Sequence, residues 1–157
     1  MNVLGRGGRE DVELFWRIWD AGRARQDPRF MGDDPMVGST RHVVIAENDA
    51  EAVALARRAF RAYAEHFHAT EVRVGGGLPS FGALPRPGGI NADEMMEAGL
   101  VLAGSASTVR DKLRRFVDAV GPQHNYLVGA FQWGDLTTEE AGRSLDLFAT
   151  EVKPALS

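Results

Sequence analysis

The chain contains no cysteine. Disulfides, thiolate metal sites and a thiol nucleophile are thereby excluded, and a reducing compartment is the simple expectation. Long hydrophobic runs are absent too. No stretch approaches the roughly 20 apolar residues that span a bilayer, and the opening MNVLGRGGRED has no signal-peptide core. These absences predict a soluble, cytoplasmic protein without a membrane partner. Positive charge is scarce: 18 Lys and Arg stand against 22 Asp and Glu, for a net charge of −4 at pH 7. The arginines are scattered among carboxylates, so no basic face for nucleic acid is expected. The four histidines make no evident metal site. His66 and His68 are two apart on a predicted helix and point to different faces, while His42 and His124 fall at predicted strand starts. No Ser-His-Asp order or nucleophile elbow is apparent.

What is present is 157 residues, 44% hydrophobic and 25% charged, enough for one soluble domain with a modest core. Asn2 to Leu4 is a short apolar run, followed by the flexible turn GRGG. From Arg9 to about Arg25, Val12, Phe15, Trp16 and Trp19 share one helical face, opposite Glu13, Arg17 and Asp20. Asp27-Pro28 closes that helix, and 27–40, rich in Gly, Pro and Asp, reads as loop. Val43 to Ala46 is a β-branched strand. Behind it Asn48 is placed as an N-cap with Glu51 three residues on, a capping box with Asn in place of Ser. Val53, Ala56, Phe60, Tyr63 and Phe67 form the inner stripe of the helix that follows.

Residues 75–89, GGGLPSFGALPRPGG, fit neither periodicity and form an irregular insertion. INADEMMEAGLVL predicts a short helix, with Met95 and Met96 as gap fillers. GSASTVRDKLRRFVDAVG predicts a helix capped by Ser105, with Val109, Leu113, Phe116 and Val120 inward and Gly121-Pro122 at its end. Tyr126 to Phe131 is a nearly unbroken apolar run, the pattern of a strand covered on both faces. Gly134 and Asp135 stop it. Thr137 and Glu140 make a capping box for the last helix, with Ala141, Leu145, Phe148 and Val152 inward and Pro154 at its end.

Strands alternating with helices predict an α/β fold with parallel strands. Three strands covered on one side only would be incomplete, and two completions are open: a doubly wound sheet, or part of a (β/α)8 barrel.

The segments RHVVIAENDAEAVALARRAF and GSASTVRDKLRRFVDAVGPQHNYLVGAFQWGDLTTEEAGRSLDLFATEVKPAL resemble the C-terminal part of the luciferase-like, flavin-dependent monooxygenases. The usual wording of that family is close to VAETDAEA, GSPETV and FQFGDL…EEALRSLELFAREVMPAL. Here Asn48 replaces Thr, Ala106 and Ser107 replace Pro-Glu, and Trp133 replaces the second Phe. The resemblance covers about 41–70 and 100–157. It implies a partial TIM barrel, with 1–157 as the C-terminal part of a larger one, since a complete barrel runs to about 250 residues. It also implies reduced flavin (FMN) and O2 acting on a small-molecule substrate, with deazaflavin F420 as the alternative cofactor. A flavin reductase and a homo-oligomeric state are the partners it brings to mind.

In such a barrel the reactive centre lies at the C-terminal ends of the strands. That rule selects Gln132 and Trp133 as cofactor-binding candidates, the indole against a flavin ring and the amide on a ring carbonyl, or else both packing under the last helix. Asn48 is selected after its strand, with capping as its other role. Arg6 in GRGG is the candidate counter-ion for a phosphate, the flexible turn being the plainer reading. Ser105 with Thr108 either caps its helix or holds an anion. The catalytic groups are expected in the rest of such a barrel. Two other classes stay open: a non-catalytic remnant that dimerises or assembles through uncovered strands, and a small nucleotide-binding domain resting on GRGG.

Overall fold

A computed structural model describes residues 8–73 and 91–156, with 67–73 described in backbone alone. The apolar run Asn2 to Leu4, Arg6 within GRGG, the side chain of Phe67, His68 and the 75–89 insertion therefore lie outside the described residues.

The order of elements is α1 (Arg9–Ala24), a 3-10 turn (Pro28–Phe30), β1 (Gly38–Ile45), α2 (Asp49–Arg73), α3 (Ala92–Glu97), β2 (Val101–Gly104), α4 (Ala106–Val120), β3 (Tyr126–Ala130) and α5 (Thr138–Leu147). A wide π-type turn, Phe148–Val152, and a 3-10 turn, Lys153–Ala155, end the chain. All strand pairings are parallel, as expected. Among the described residues no helix is long and apolar enough to cross a membrane.

Two boundaries differ from the sequence expectation. β1 begins at Gly38, inside the stretch expected to be loop, because Gly38 to His42 pair with Tyr126 to Ala130 of β3. Of its opening residues, Gly38, Ser39, Thr40, Arg41 and His42, only Thr40 favours a strand, too weak a signal by itself. Within INADEMMEAGLVL only Ala92–Glu97 is helical. Val101–Gly104 is instead a strand, wholly buried and paired with His42 to Ile45. Four consecutive apolar residues carry no period that separates helix from strand.

The strand order is β2-β1-β3. Consecutive strands of a barrel lie side by side in chain order; here β1 is central, and the chain passes from β2 across it to β3. Both faces of the sheet are covered. Val44, Ala46, Val101 and Ala103 pack with Ala52, Ala56, Ala59 and Phe60 of α2 and Met95 of α3. Val43, Ile45 and Leu102 pack on the other face with Val109 and Leu113 of α4 and Val152. The alternation along β1 follows from the two-residue strand period. Helices thus lie on both faces of the described strands, and among the described residues these strands do not close into a barrel. The outer strand β3 is the least enclosed, with Val128 42% exposed.

The capping signals are realised locally. Asn48 Oδ1 accepts from the Glu51 N–H at 2.9 Å, and both Asn91–Glu94 and Thr137–Glu140 form complete capping boxes. The α5 helix is tied to the sheet by Ser144, whose buried Oγ accepts from the Ile45 N–H at 2.8 Å.

Candidate functional site

In an open α/β sheet, ligands bind beyond the carboxyl ends of the strands, where the winding reverses. Here that place is the carboxyl end of the β1–β3 pair. The segment leaving β3, Phe131 to Leu136, packs there directly against α2.

This segment is held from several sides. Leu136 N–H donates to the Trp133 carbonyl at 3.2 Å, and Gln132 Nε2 donates to the Leu136 carbonyl at 2.5 Å. Gly134 adopts φ +60°, a left-handed conformation suited to glycine. It also lies so close to α2 that a Cβ there would collide with the backbone of Ala59. Arg58 of α2 grips the next turn: its Nε donates to Asp135 Oδ1 at 3.1 Å, and its two terminal nitrogens reach Glu140 at 3.1 and 2.6 Å. The result is a Trp133 side chain driven under α2, only 7% exposed.

The electrostatic signature of that grip falls on Glu140. Hydrogen bonds from Arg58 and from the Thr137 N–H hold its carboxyl down at about 2, against an ordinary 4.5. A depressed carboxylate stabilises the fold above its unfolded-state value, and the contribution is lost as pH falls from about 4.5 towards 2. Because Arg58 is 42% exposed, the pair is expected to contribute only about 1 kcal/mol. Thermal unfolding of Glu140→Gln should therefore show a lower Tm than the parent at pH 7. The two curves should draw together below pH 4.5 and converge as pH approaches 2. A constant offset from pH 7 to pH 2.5 would show that the charge is not what matters.

Trp133 does not meet α2 alone. Its ring lies 4.6 Å from that of His42, and Tyr63 of α2 lies 5.2 Å from His42 and 6.3 Å from Trp133. His42 is thus not at a strand start. It is the fifth residue of β1, on the same face as Val44 and Ala46. Burial pushes its imidazole below the ordinary histidine value and raises the Tyr63 phenol. The Trp133 indole N–H and His42 Nδ1 are both buried without a hydrogen-bond partner. Such atoms are uncommon in folded proteins.

The other candidates are placed as follows. Gln132 is exposed beside Trp133, with its amide N–H on the turn. Asn48 is exposed beyond β1 and caps α2. Arg6 lies outside the described residues. Ser105 caps α4, accepting from the Thr108 N–H at 3.4 Å. The anion facing that helix N-terminus is the chain's own Asp49, which accepts from Ser105 N–H at 2.7 Å and Thr108 Oγ1 at 3.1 Å. These bonds pull the Asp49 carboxyl below its ordinary value. Among the described residues no group of three His, Asp or Glu is arranged to hold a metal ion.

Sequence reasoning missed His42 and Tyr63 as neighbours of Trp133. The available signal was strand period: with β1 extended back to Gly38, His42 falls in mid-strand, in line with Val44 and Ala46.

The fold is similar to part of two solved monooxygenases. One is the monooxygenase RslO1 from Streptomyces bottropensis, at a TM-score of 0.61 and 17% identity over 95% of this chain and 39% of that one. The other is the oxygenating constituent of 3,6-diketocamphane monooxygenase from Pseudomonas putida, a Type II Baeyer-Villiger monooxygenase in complex with FMN. It matches at a TM-score of 0.59 and 18% identity over 94% of this chain and 41% of that one. The chain thus spans about two-fifths of the length of these neighbours. No protein-family model and no curated protein matches it. What the neighbours establish is the fold, shared with part of each.

Proposed function

We propose that this chain is the C-terminal portion of a flavin-dependent, luciferase-like monooxygenase that acts on a small organic substrate. The observation that carries the proposal is the likeness of nearly the whole chain to part of two monooxygenases, one of them holding FMN. Reduced flavin, when bound, supplies the electrons by which one oxygen atom of O2 enters the substrate and the other leaves as water. FMN is favoured over the deazaflavin F420 because the FMN complex is among the neighbours. A separate flavin reductase is the proposed source of reducing equivalents.

Trp133 carries a flat apolar ring and an uncommitted indole donor, buried under α2 at the carboxyl end of β3. Gln132 and Asn48 each spend one amide atom on their own turn, and the second amide group is the one a ligand can use. Arg6 is proposed as the phosphate counter-ion. The donor set suits a ring bearing carbonyl acceptors.

Saturable quenching of FMN fluorescence on titration with the purified 157-residue chain is the expected result. Absence of saturable binding by both oxidised and reduced FMN would falsify the reading.

A second reading has one observation in its favour. The outer strand β3, Tyr126–Ala130, carries no charge and leaves Val128 exposed, the features of an edge able to pair with another chain. A homo-oligomer assembled there, without flavin chemistry, would appear in light scattering as a defined multimer that Val128→Lys converts to monomer.

A further inference from the structure

We propose that the outer face of α1 is a self-association surface, through which two copies of this chain pair as antiparallel helices about a two-fold axis beside Ile18. This goes beyond the flavin reading and does not rest on it.

Helix α1 carries apolar residues on two faces. Val12, Phe15, Trp19 and Gly22, spaced three and four apart, turn towards the rest of the chain. Val12 is buried, Phe15 stacks on Trp19, the Trp19 ring meets that of Phe30 at 5.2 Å, and Gly22 lies against the same Phe30 ring. Glu10, Leu14, Ile18, Ala21 and Arg25 follow one another at spacings of four, four, three and four, and share a second face within about 80° of arc at 3.6 residues per turn. That is the seam spacing of paired helices. All five are exposed, Leu14 at 47% and Ile18 at 53%. A helix that is apolar on two faces needs two neighbours to bury them, and the described residues supply only the first.

The order of residues along the seam identifies the second neighbour. Glu10 and Arg25 are centred on the midpoint between Arg17 and Ile18, and so are Leu14 and Ala21. A single two-fold axis through that point therefore suits every position at once. It sets Leu14 of each copy over the small Ala21 of the other and brings the two Ile18 side chains together. It also places Glu10 of each copy against Arg25 of the other, about 11 Å from the axis at 1.5 Å of rise per residue. Opposed helix dipoles add to the fit, since each N-terminus then lies beside a C-terminus. Asp27, which also feels Arg25, spends its carboxylate on Arg29. Arg17, the charge nearest the axis, lines a groove with Glu13 and Asp20 on the adjoining face. Parallel pairing would set Glu10 against Glu10, and an unrelated partner would give no reason for the shared midpoint.

Sedimentation velocity of the 157-residue chain over a dilution series is expected to show a reversible monomer–dimer equilibrium. One helix pair is at the small end of protein interfaces, so the dimer should dissociate on dilution. Ile18→Lys puts two ammonium groups at the axis and should raise the dissociation constant more than about tenfold, as befits a residue at an interface centre. Glu10→Arg and Arg25→Glu, each alone, set like charges at both ends and should weaken dimerisation about fivefold. Mixed in equal amounts, these two variants should form a heterodimer close to the parent dimer in strength, because every charge then meets its opposite. All three positions are exposed, so the circular dichroism of the dilute variants should match the parent. The inference is overturned if the parent stays monomeric throughout the series, if Ile18→Lys dimerises as the parent does, or if the mixed variants associate no better than each alone. Loss of the dimer in Val128→Lys with its retention in Ile18→Lys would move the interface to β3 and overturn it equally.

Discussion

Gly134→Ala is expected to destabilise the protein by about 3 kcal/mol. Two costs add. Alanine at φ +60° is held in a left-handed conformation that side chains rarely adopt, a strain of order 1 kcal/mol. The new Cβ also collides with the Ala59 backbone in α2. Flexible side-chain ends yield cheaply to such an intrusion, but a helix backbone does not, and relief means lifting the 131–136 segment off α2. Overpacking of that kind costs roughly 1–3 kcal/mol. Chemical denaturation should show a lower midpoint at unchanged slope, since the unfolded chain is little altered. Trp133 would lose its burial as the segment lifts, so its fluorescence should move to longer wavelength in the native baseline. A loss below 1 kcal/mol would mean that the close approach of Gly134 to α2 is wrong.

The same position shows where the sequence was legible and where it was not. Gly134 and Asp135 read correctly as the end of the apolar run, because chain-breaking residues act locally. The reason Gly134 must be glycine is non-local. It depends on Ala59, 75 positions earlier, and no local pattern carries that information. Helix ends were likewise legible through Asn48, Ser105 and Thr137, whose caps involve partners only three residues away. The strand β2 was not legible, since Val101 to Gly104 is too short to display a period. Strand order was beyond reach for another reason. Periodicity says which face of β1 is buried; it does not say that β3 should settle beside β1 instead of β2. The candidate site follows the same division. Trp133 could be found from its position after a strand, but its pairing with His42 requires the β1–β3 register. The role of Asp49 as the resident anion at the α4 N-terminus required α2 and α4 to be brought together.

Leu113→Ala should cost about 3 kcal/mol, within the range for a fully buried leucine, whereas Leu145→Ala should stay within about 0.5 kcal/mol of the parent. Helical spacing placed both residues in inward stripes, and the structure separates them: Leu113 is 1% exposed and Leu145 is 48% exposed. The cause lies in how each helix meets the sheet. Leu113 projects from α4 into the cluster of Val43, Ile45, Leu102, Val109 and Val152, where truncation removes apolar contacts that rigid strands cannot move to replace. In α5 the inward position belongs instead to Ser144, which must approach β1 closely enough to accept the Ile45 N–H. That orients Ala141 and Ser144 inward and turns Leu145 to the surface. The widened turn at Phe148–Val152 then brings Val152 back under the sheet beside Leu113. Urea midpoints of the two variants measure this rotation directly. Equal losses at Leu113 and Leu145 would mean that α5 packs by its leucine stripe, with Ser144 no longer the residue that joins it to β1.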